Sequence, residues 1–542
     1  MAHDASEAST FLPPGTVQIL RVHGELSADE IVLVPKPSDH PDDPLNWSKF
    51  RKLVHVLNIY LYVFTVGIGA TCTYSYFVDI SKDTGITLTQ LNLGTGFIFL
   101  LAGWGNLLWQ PLALSVGRRP AYLLSLISIA AVTEGTAWVT NFPQWAAVRI
   151  LYGFLVAPVE TLPEVSIPDV YFAHERGAYI GVYSLVLSGS NFIAPLIAGF
   201  MNEAVGWRWV QHWAALLILA NFIISYFTLE ESMYFRGTVE ADVSAELVEV
   251  PRPAGSLENG DEPKDKTQTP VQGTASQIPG QSTEVRRKTY KEKLALFSPT
   301  HLTLKQCFTT SWRPILIFFQ FPNITWAGIQ YGFTNAWYSV YNATASAILS
   351  APPYNLNSGM VGVTYLAPLV GAAIGAYVSG PLSDKMVLRL AHRAGGLREP
   401  EHRLWGLLSY AIILPIGLLL WGIGAAHQTS LAVLLVGSVF CGYGIIAGGS
   451  YAISYNVDSF KEIAGESLVS LILCRNTMTF AFSYAITPWI NASGLQNTFI
   501  AVGVIAFVSG MMVLPMIWKG KALRINSAPR YWRYAADQMI TH

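Results

Sequence analysis

Residues 149–169 form one apolar stretch that carries Arg149, Glu160 and Glu164, interleaved with three prolines. A charge at bilayer depth costs roughly 2.5–3.5 kcal/mol on insertion scales, and it usually faces a protein interior or a water cavity. Prolines break the helical hydrogen-bond ladder, and neighbouring helices or water must then replace the lost partners. We therefore predict that this stretch lines an aqueous cavity within a membrane.

Glu160 and Glu164 are four residues apart, so both carboxyl groups lie on one face of a helix. Acidic groups inside a membrane protein are typical of proton relays and cation pathways, and we predict such a site here. The alternative for Glu164 is a position near the inner interface, paired with a basic loop residue.

Three further polar residues are predicted to lie at membrane depth. Arg149 falls in the outer half of its span, where the alternative is an interfacial arginine whose charged end reaches water. Arg475 and Asn476 lie about ten residues into a later apolar run. At a helical rise of about 1.5 Å per residue, this position is deep in the membrane rather than at its surface. A buried arginine needs a partner, so we expect both residues to line the cavity.

Aromatic and amide side chains in two later apolar runs are candidates for substrate contact. They can hold an amphiphilic or cationic molecule by stacking and cation–π attraction, although any one of them more often serves packing. The candidates are Trp326, Gln330, Tyr331, Tyr451 and Tyr455.

Composition places the chain in a membrane. It has 542 residues, of which 51% are hydrophobic and only 13% charged, whereas about 25% is usual for a soluble domain. The net charge of -1 gives no indication of a nucleic-acid partner. The four cysteines are far apart and show neither metal-ligand spacing nor a disulfide framework, so we predict no metal site.

Twelve apolar runs are long enough to span a bilayer, which takes about 20 residues each. They predict an all-α membrane protein with two bundles of six transmembrane helices, separated by a polar linker that we expect to be largely disordered. The predicted divisions are an N-terminal arm 1–52, a first bundle 53–229, the linker 230–312, a second bundle 313–518 and a tail 519–542. The predicted spans are 55–78, 89–113, 121–139, 144–168, 178–200, 209–229, 313–338, 359–379, 404–424, 430–457, 466–489 and 497–518.

Basic residues in short loops orient the bundle. With both termini in the cytosol, the outer loops contain only Lys82 and Arg208 as basic residues, and the inner loops hold most of the others. Glycosylation sequons at Asn342 and Asn491 fall on the outer side in this topology. Both signals favour the same orientation.

Three short motifs resemble the signatures of the major facilitator superfamily, and together with fungal-type loop sequences the resemblance covers residues 40–520. They are Gly117-Arg-Arg-Pro120, Arg149-Ile-Leu-Tyr-Gly153 and Ser190-Asn-Phe-Ile-Ala-Pro-Leu-Ile-Ala-Gly199. The last resembles the motif of 12-helix drug:proton antiporters, while the loops resemble fungal polyamine and organic-cation transporters. The resemblance implies two bundles that rock around a central site, and a proton-transfer or gating role for Arg149.

The same resemblance identifies gating positions and one departure. Gly117, Arg118 and Arg119 match the inner gating motif, but its usual acidic and basic residues are replaced by Leu114 and Ser115. The second half keeps Asp384 and Lys385, so the resemblance implies an asymmetric gate. Pro195 and Gly199 are expected to provide close packing and a helix bend.

The leading functional hypothesis is proton-coupled export of drugs or amphiphilic metabolites by alternating access, and the alternative is proton-coupled uptake of polyamines or other organic cations. A non-transporting membrane sensor is a third hypothesis. An enzyme is not expected, since the sequence has no nucleotide-binding glycine loop, metal cluster or nucleophile elbow. We expect a monomer in the plasma membrane that binds a small molecule and lipid, uses a proton gradient and needs no cofactor.

Overall fold

The computed structural model describes residues 13–18, 40, 42–234, 294 and 304–541. Most of the predicted linker 230–312, and with it the expectation of disorder, lies outside these residues. So does much of the N-terminal arm. The described part is almost entirely helical, as the apolar runs predict.

Among the described residues, the first half of the chain has eight α-helices and two short 3-10 turns. One turn, Pro44–Asn46, precedes the first helix, and the other, Cys72–Ser75, follows it directly. The helices are α1 (Lys49–Thr71), α2 (Phe77–Thr84), α3 (Leu88–Ser115), α4 (Arg118–Thr136), α5 (Phe142–Val156), α6 (Pro158–Val170), α7 (Ala173–Val205) and α8 (Trp207–Thr228).

The second half repeats this pattern of long helices with short connections. Its helices are α9 (Leu304–Gln320), α10 (Pro322–Ser350), α11 (Ser358–Thr364), α12 (Leu366–Tyr377), α13 (Ser383–Arg393), α14 (Glu401–Leu404), α15 (Leu407–Ala426), α16 (Leu431–Ser459), α17 (Ala464–Met511) and α18 (Val513–Thr541). A π-helical turn, Val378–Leu382, joins α12 to α13.

Several predicted boundaries differ from the observed helices. The span predicted at 313–338 is observed as α10, which begins at Pro322 because Phe321 leaves the helical region and proline suits a first helical position. The preceding α9 begins inside the predicted linker. The predicted tail 519–542 is helical as far as Thr541, and a break at Gly494 divides α17 where the predicted spans 466–489 and 497–518 are separated.

Large apolar side chains cover the outside of the molecule as well as its core. Phe50, Phe319 and Trp518 are each about three-quarters exposed, at 76%, 76% and 74%. A continuous apolar exterior of this kind is stable in lipid rather than in water. Within the described residues, nine helices are long and apolar enough to cross a membrane.

The two halves pack backbone against backbone near one membrane face. We name the faces from the loop charges: the outer face carries Cys72–Ser75 and residues 351–358, and the inner face is opposite. Near the outer face, Gly199 of α7 lies so close to the backbone of Ser358 that a Cβ atom would collide with it. Gly362 of α11 meets the Pro195 carbonyl in the same way.

The same side of α7 is uncovered toward the inner face. Gly181 and Ser184 lie on the helical face that Pro195 and Gly199 occupy further along, yet both are exposed. No atom of the described residues lies within 4 Å of the position that a Cβ at Gly181 would take. One helix face is thus packed at its outer end and open at its inner end. The molecule is closed toward the outer face.

The N-terminal arm reaches the second half. Its residues Val17–Gln18 form strand β1, which pairs antiparallel with strand β2 (Leu397–Arg398) in the loop after α13. Arg524 donates a hydrogen bond to the carbonyl of Pro14. Nearer the membrane, Asp43 and Trp47 are buried against the first half. The described parts of the arm therefore contact both halves at the inner face.

Candidate functional site: a charge pair between the two halves

A break between α5 and α6 places Glu160. Pro158 begins α6 and has no N–H to continue the hydrogen bonds of α5. The backbone N–H of Glu160 instead makes a long 3.4 Å bond to the Ala157 carbonyl. The Thr161 hydroxyl donates to Asn106 of α3 at 2.8 Å, which anchors this turn to its neighbour. Glu160 is therefore held at the interface between the halves.

Glu160 of the first half forms an ion pair with Arg475 of the second. An Nη2 group of Arg475 donates to Glu160 Oε1, and Asn476 Nδ2 lies 3.4 Å from Oε2 of the same carboxylate. Arg475 is only 6% exposed, whereas the Glu160 side chain is 17% exposed. The structure thus brings together three residues that the sequence predicted one by one.

The Arg475 guanidinium is fixed by neighbours on the second half. Its Nη1 donates to the Tyr331 hydroxyl at 2.7 Å, and its Nη2 donates to Asn476 Oδ1 at 2.8 Å. A planar guanidinium can satisfy such converging acceptors at once, which an ammonium group does less well. These bonds orient Arg475 toward the opposite half.

Glu164 lies one turn from Glu160 and makes no hydrogen bond or ion pair with any residue that the structure describes. Tyr183 of α7 packs beside this turn and donates to the carbonyls of Val159 and Glu160, both at 3.2 Å. The site therefore holds two carboxyl groups and one guanidinium. If all three are charged, the site has a net negative charge that a cation or protons can neutralise.

Arg149 does not join this site. It lies eleven residues earlier, about 16 Å along the helix at 1.5 Å per residue, and its guanidinium stacks on the Trp145 ring at 4.0 Å. The side chain is 2% exposed, and its Nε and Nη2 atoms have no hydrogen-bond partner among the described residues. Arg149 therefore lies deep inside the first half, away from an interfacial position.

Four of the five predicted cavity residues lie inside the second half in this conformation, and only Tyr331 reaches the charge pair. Trp326 packs edge-on against Tyr455, whose hydroxyl lies 3.4 Å from Glu401 near the inner face. Tyr451 donates to the Val378 carbonyl at 3.3 Å. These residues and Gln330 are 7% exposed or less, as the packing alternative expects, and substrate contact by them stays a prediction.

The predicted inner gating motif joins elements within the first half. Arg118 Nε lies 2.6 Å from Asp169 at the end of α6. The Glu231 carboxylate accepts from the backbone N–H groups of Arg118 and Arg119 and so caps α4. Gly117 has φ of 120°, and a Cβ there would approach Glu231 Oε2 to 2.6 Å. Glycine is therefore required at this cap.

The second half uses a different arrangement. Asp384 accepts from Arg403 at 2.9 Å, and Arg403 Nε also lies 3.4 Å from Asp458 at the end of α16. Lys385 forms no ion pair with the described residues. The replacement of the usual acid by Leu114 is thus accompanied by an acidic cap from Glu231, and the two halves differ as the sequence indicates.

The two predicted glycosylation sites differ in exposure. Asn491 is exposed near the break at Gly494, so glycosylation there stays a prediction. Asn342 is 6% exposed and lies inside α10, which contradicts an outer-loop position. The error follows from the predicted span 313–338, because α10 extends twelve residues beyond it to Ser350.

Sequence reasoning missed several partners. Glu401 accepts from Arg524, which lies 123 residues further along the chain and is fully buried, and no sequence signal connects the two. Asp169 and Glu231 were identifiable only as acids at helix ends near a basic motif. No sequence signal identifies Asn202 and Glu203 at the outer face either.

Comparison with known proteins is consistent with this geometry. A family model described as Major Facilitator Superfamily matches residues 59–397. An uncharacterized MFS-type transporter of Schizosaccharomyces pombe is 29% identical over 96% of this chain and 94% of its own. Protein HOL1 of Saccharomyces cerevisiae is 28% identical over 91% of this chain and 90% of its own. The MFS antiporter QDR3 of Candida albicans is 23% identical over 95% of this chain and 84% of its own.

Two solved structures share the fold. A bacterial homologue of the human lysosomal transporter Spinster, described as inward-facing and unoccupied, has a TM-score of 0.51 and 14% identity, covering 91% of this chain and 99% of its own. The xylose transporter XylE from E. coli, described as partially occluded and inward open, has a TM-score of 0.56 and 11% identity, covering 86% and 99%. The chain belongs to the Major Facilitator Superfamily and is a non-enzymatic membrane transporter.

Proposed function

We propose that this transporter exports amphiphilic organic cations, as drugs or metabolites, in exchange for protons. The observation that carries the proposal is the Glu160–Arg475 pair between the halves, with the carboxyl of Glu164, which has no partner among the described residues, one turn away. The site thus has two acidic side chains and one fixed positive charge, the guanidinium of Arg475. A protonated amine and a proton are the two ligands that such a site accepts in common.

Competition for the same carboxylates supports exchange. A cation that enters from the open inner side contacts Glu160 or Glu164 only where a proton does not occupy the group. Once the outer side opens, protons displace the cation from the carboxylates. The transporter then returns, with its site protonated, to the conformation that is open to the inner side. A ligand shifts the balance between two conformations only through its different affinity for them. The Glu160–Arg475 pair supplies this difference because its two groups belong to opposite halves.

We propose twelve membrane spans with both termini in the cytosol. The nine long apolar helices become twelve when α4 and α10 are added and the last is divided at Gly494. The excess of basic residues at the inner face supports this orientation. The same proposal includes a monomer in the plasma membrane, driven by a proton gradient without a cofactor.

The second candidate function is proton-coupled uptake of polyamines. It is favoured by the two carboxyl groups of Glu160 and Glu164 one helical turn apart, which can each contact one ammonium group of a polycation. Uptake by symport requires the proton and the substrate to be bound together. Exchange requires them to exclude each other, and this difference can be measured.

The experiment measures flux in vesicles with an imposed pH gradient. Radiolabelled spermidine, an amphiphilic monocation and its neutral isostere are tested with the unchanged protein, Glu160→Gln and Glu164→Gln. Exchange predicts that protons on the substrate side inhibit competitively and that Glu160→Gln lowers pH-driven flux about tenfold or more, equivalent to about 1.4 kcal/mol. Symport predicts instead that protons on the substrate side accelerate spermidine flux.

Glu134→Gln is the matched control, because this carboxylate of α4 pairs with His212 of α8 at 2.9 Å within the first half. We expect its flux to equal that of the unchanged protein. Unchanged pH-driven flux in Glu160→Gln contradicts the coupling role. Transport of the neutral isostere as fast as the cation contradicts the cation site.

A further inference from the structure

The outer face carries a set of polar contacts that join the two halves and are separate from the central charge pair. Asn202 and Glu203 end α7 in the first half, and Ser358 and Gly359 begin α11 in the second. Asn202 Nδ2 lies 2.9 Å from Ser358 Oγ, and the Gly359 N–H donates to Glu203 Oε1 at 2.6 Å. Two adjacent residues of one half thus hold two adjacent residues of the other.

One of these contacts satisfies a backbone group that the start of α11 leaves without a partner in the helix. The first N–H groups of a helix have no partner within it, and Glu203 supplies one for Gly359 across the interface. Asn202 is oriented by Asp79 of α2, whose Oδ2 accepts from the same Nδ2 at 2.7 Å. Asp79, Asn202 and Glu203 therefore act from the first half on the start of α11.

Another acidic residue near these contacts, Asp83, binds different partners. Asp83 accepts hydrogen bonds from Arg208 and from Trp207, and these bonds lower its pKa below the usual value. These partners all belong to the first half. A groove of ≈ 970 Å³ is lined by both sets of residues. Asp83 thus shares the surroundings of Glu203 without joining the halves.

We propose that Asp79, Asn202, Glu203, Ser358 and Gly359 form an outer latch that holds the transporter closed toward the outer face and must break in each cycle. Beneath it, Phe192 of α7 meets Tyr338 of α10 with ring centroids 5.7 Å apart. Glu203 is exposed, so water replaces the lost partners when the latch opens. The proposal rests on alternating access, and neither substrate identity nor proton coupling enters it.

The test measures cysteine labelling without substrate. Two single cysteines serve as reporters: Tyr338→Cys is buried under the outer latch, and Ser184→Cys lies on the exposed inner part of α7. The natural cysteines Cys72, Cys307, Cys441 and Cys474 are replaced by serine in both proteins. A membrane-impermeant maleimide is added from the outer or inner side. We expect Glu203→Ala to raise outer labelling of Tyr338→Cys about tenfold, from loss of a hydrogen bond to a charged group, and to lower inner labelling of Ser184→Cys.

Asn202→Ala should act in the same direction, and the conservative Glu203→Gln should act less. Asp83→Asn is the control and should leave both labelling rates unchanged. Unchanged labelling at Tyr338→Cys in Glu203→Ala overturns the proposal. A rise at both reporters also overturns it, because general loosening then replaces a shift between two states. Flux is not measured, so failure here leaves the proposed exchange to its own test.

Discussion

At the scale of single residues, the geometry around Arg475 explains why two polar groups can be buried between the halves. Its guanidinium contacts Glu160, Tyr331 and Asn476 at once. Removing one partner of a buried pair leaves the other charge uncompensated, whereas removing both often costs less. The pair can therefore be tested by mutating its members separately and together.

We predict that Arg475→Gln destabilises the detergent-solubilised protein by about 1–3 kcal/mol, because Glu160 loses its countercharge while it keeps some access to water. The double variant Glu160→Gln/Arg475→Gln should be more stable than Arg475→Gln alone. Thermal melting of the unchanged protein, the two single variants and the double variant measures this coupling. As a control, Glu134→Gln should add its effect to Arg475→Gln independently, since distant sites are additive. Equal melting temperatures for the double variant and Arg475→Gln contradict the pairing.

At the scale of helices, glycines determine how closely neighbours pack. Gly371 of α12 faces the Val439 carbonyl of α16, and a Cβ there would also lie 2.8 Å from the Tyr443 nitrogen. Gly442 of α16 meets the Pro368 carbonyl of α12 in return. These backbones touch without side chains between them, as expected where lipid provides no hydrophobic drive and close packing must hold the helices.

Gly371→Ala is predicted to destabilise the second half by about 1–3 kcal/mol, because the added methyl meets backbone that cannot rotate away. Gly189→Ala is the matched control: Gly189 lies within α7, and in the part of the chain that the structure describes no atom is within 4 Å of the added Cβ. That variant should be unchanged or more stable by about 0.5–1 kcal/mol, since alanine favours a helix. Melting curves in one detergent compare the two. A drop for Gly189→Ala as large as for Gly371→Ala contradicts the packing argument.

At the scale of the whole molecule, the described part of the N-terminal arm meets the last helix at the inner face. Gly15 has φ of 79°, and a Cβ there would collide with the backbone of Asp458 and Ser459. Arg524 donates to Pro14 and also pairs with Glu401. The arm thus docks where Asp458 contacts Arg403.

We predict that Gly15→Val releases the arm from the second half, because valine fits neither this backbone angle nor the space. Hydrogen exchange in the segment Leu397–Arg398 should accelerate about tenfold or more at the amide that donates to β1, since strand pairing protects it. Pro13→Ala is the control and should preserve protection, because the Pro13 carbonyl still accepts from Thr16. Unchanged exchange in Gly15→Val contradicts docking through this turn.

The sequence alone determined the membrane class and the transporter family, and it predicted the depth order of Arg149, Glu160 and Glu164. These properties depend on apolar length, loop charge and local motifs, which are read within a few dozen residues. The tertiary structure alone decided that Glu160 pairs with Arg475, that Tyr451 and Tyr455 are buried in one half, and that the halves close at the outer face. The contact between Glu160 and Arg475, for example, joins residues 315 positions apart. Their partners are fixed by how the helices pack, and helical periodicity gives each helix a face but not its neighbour.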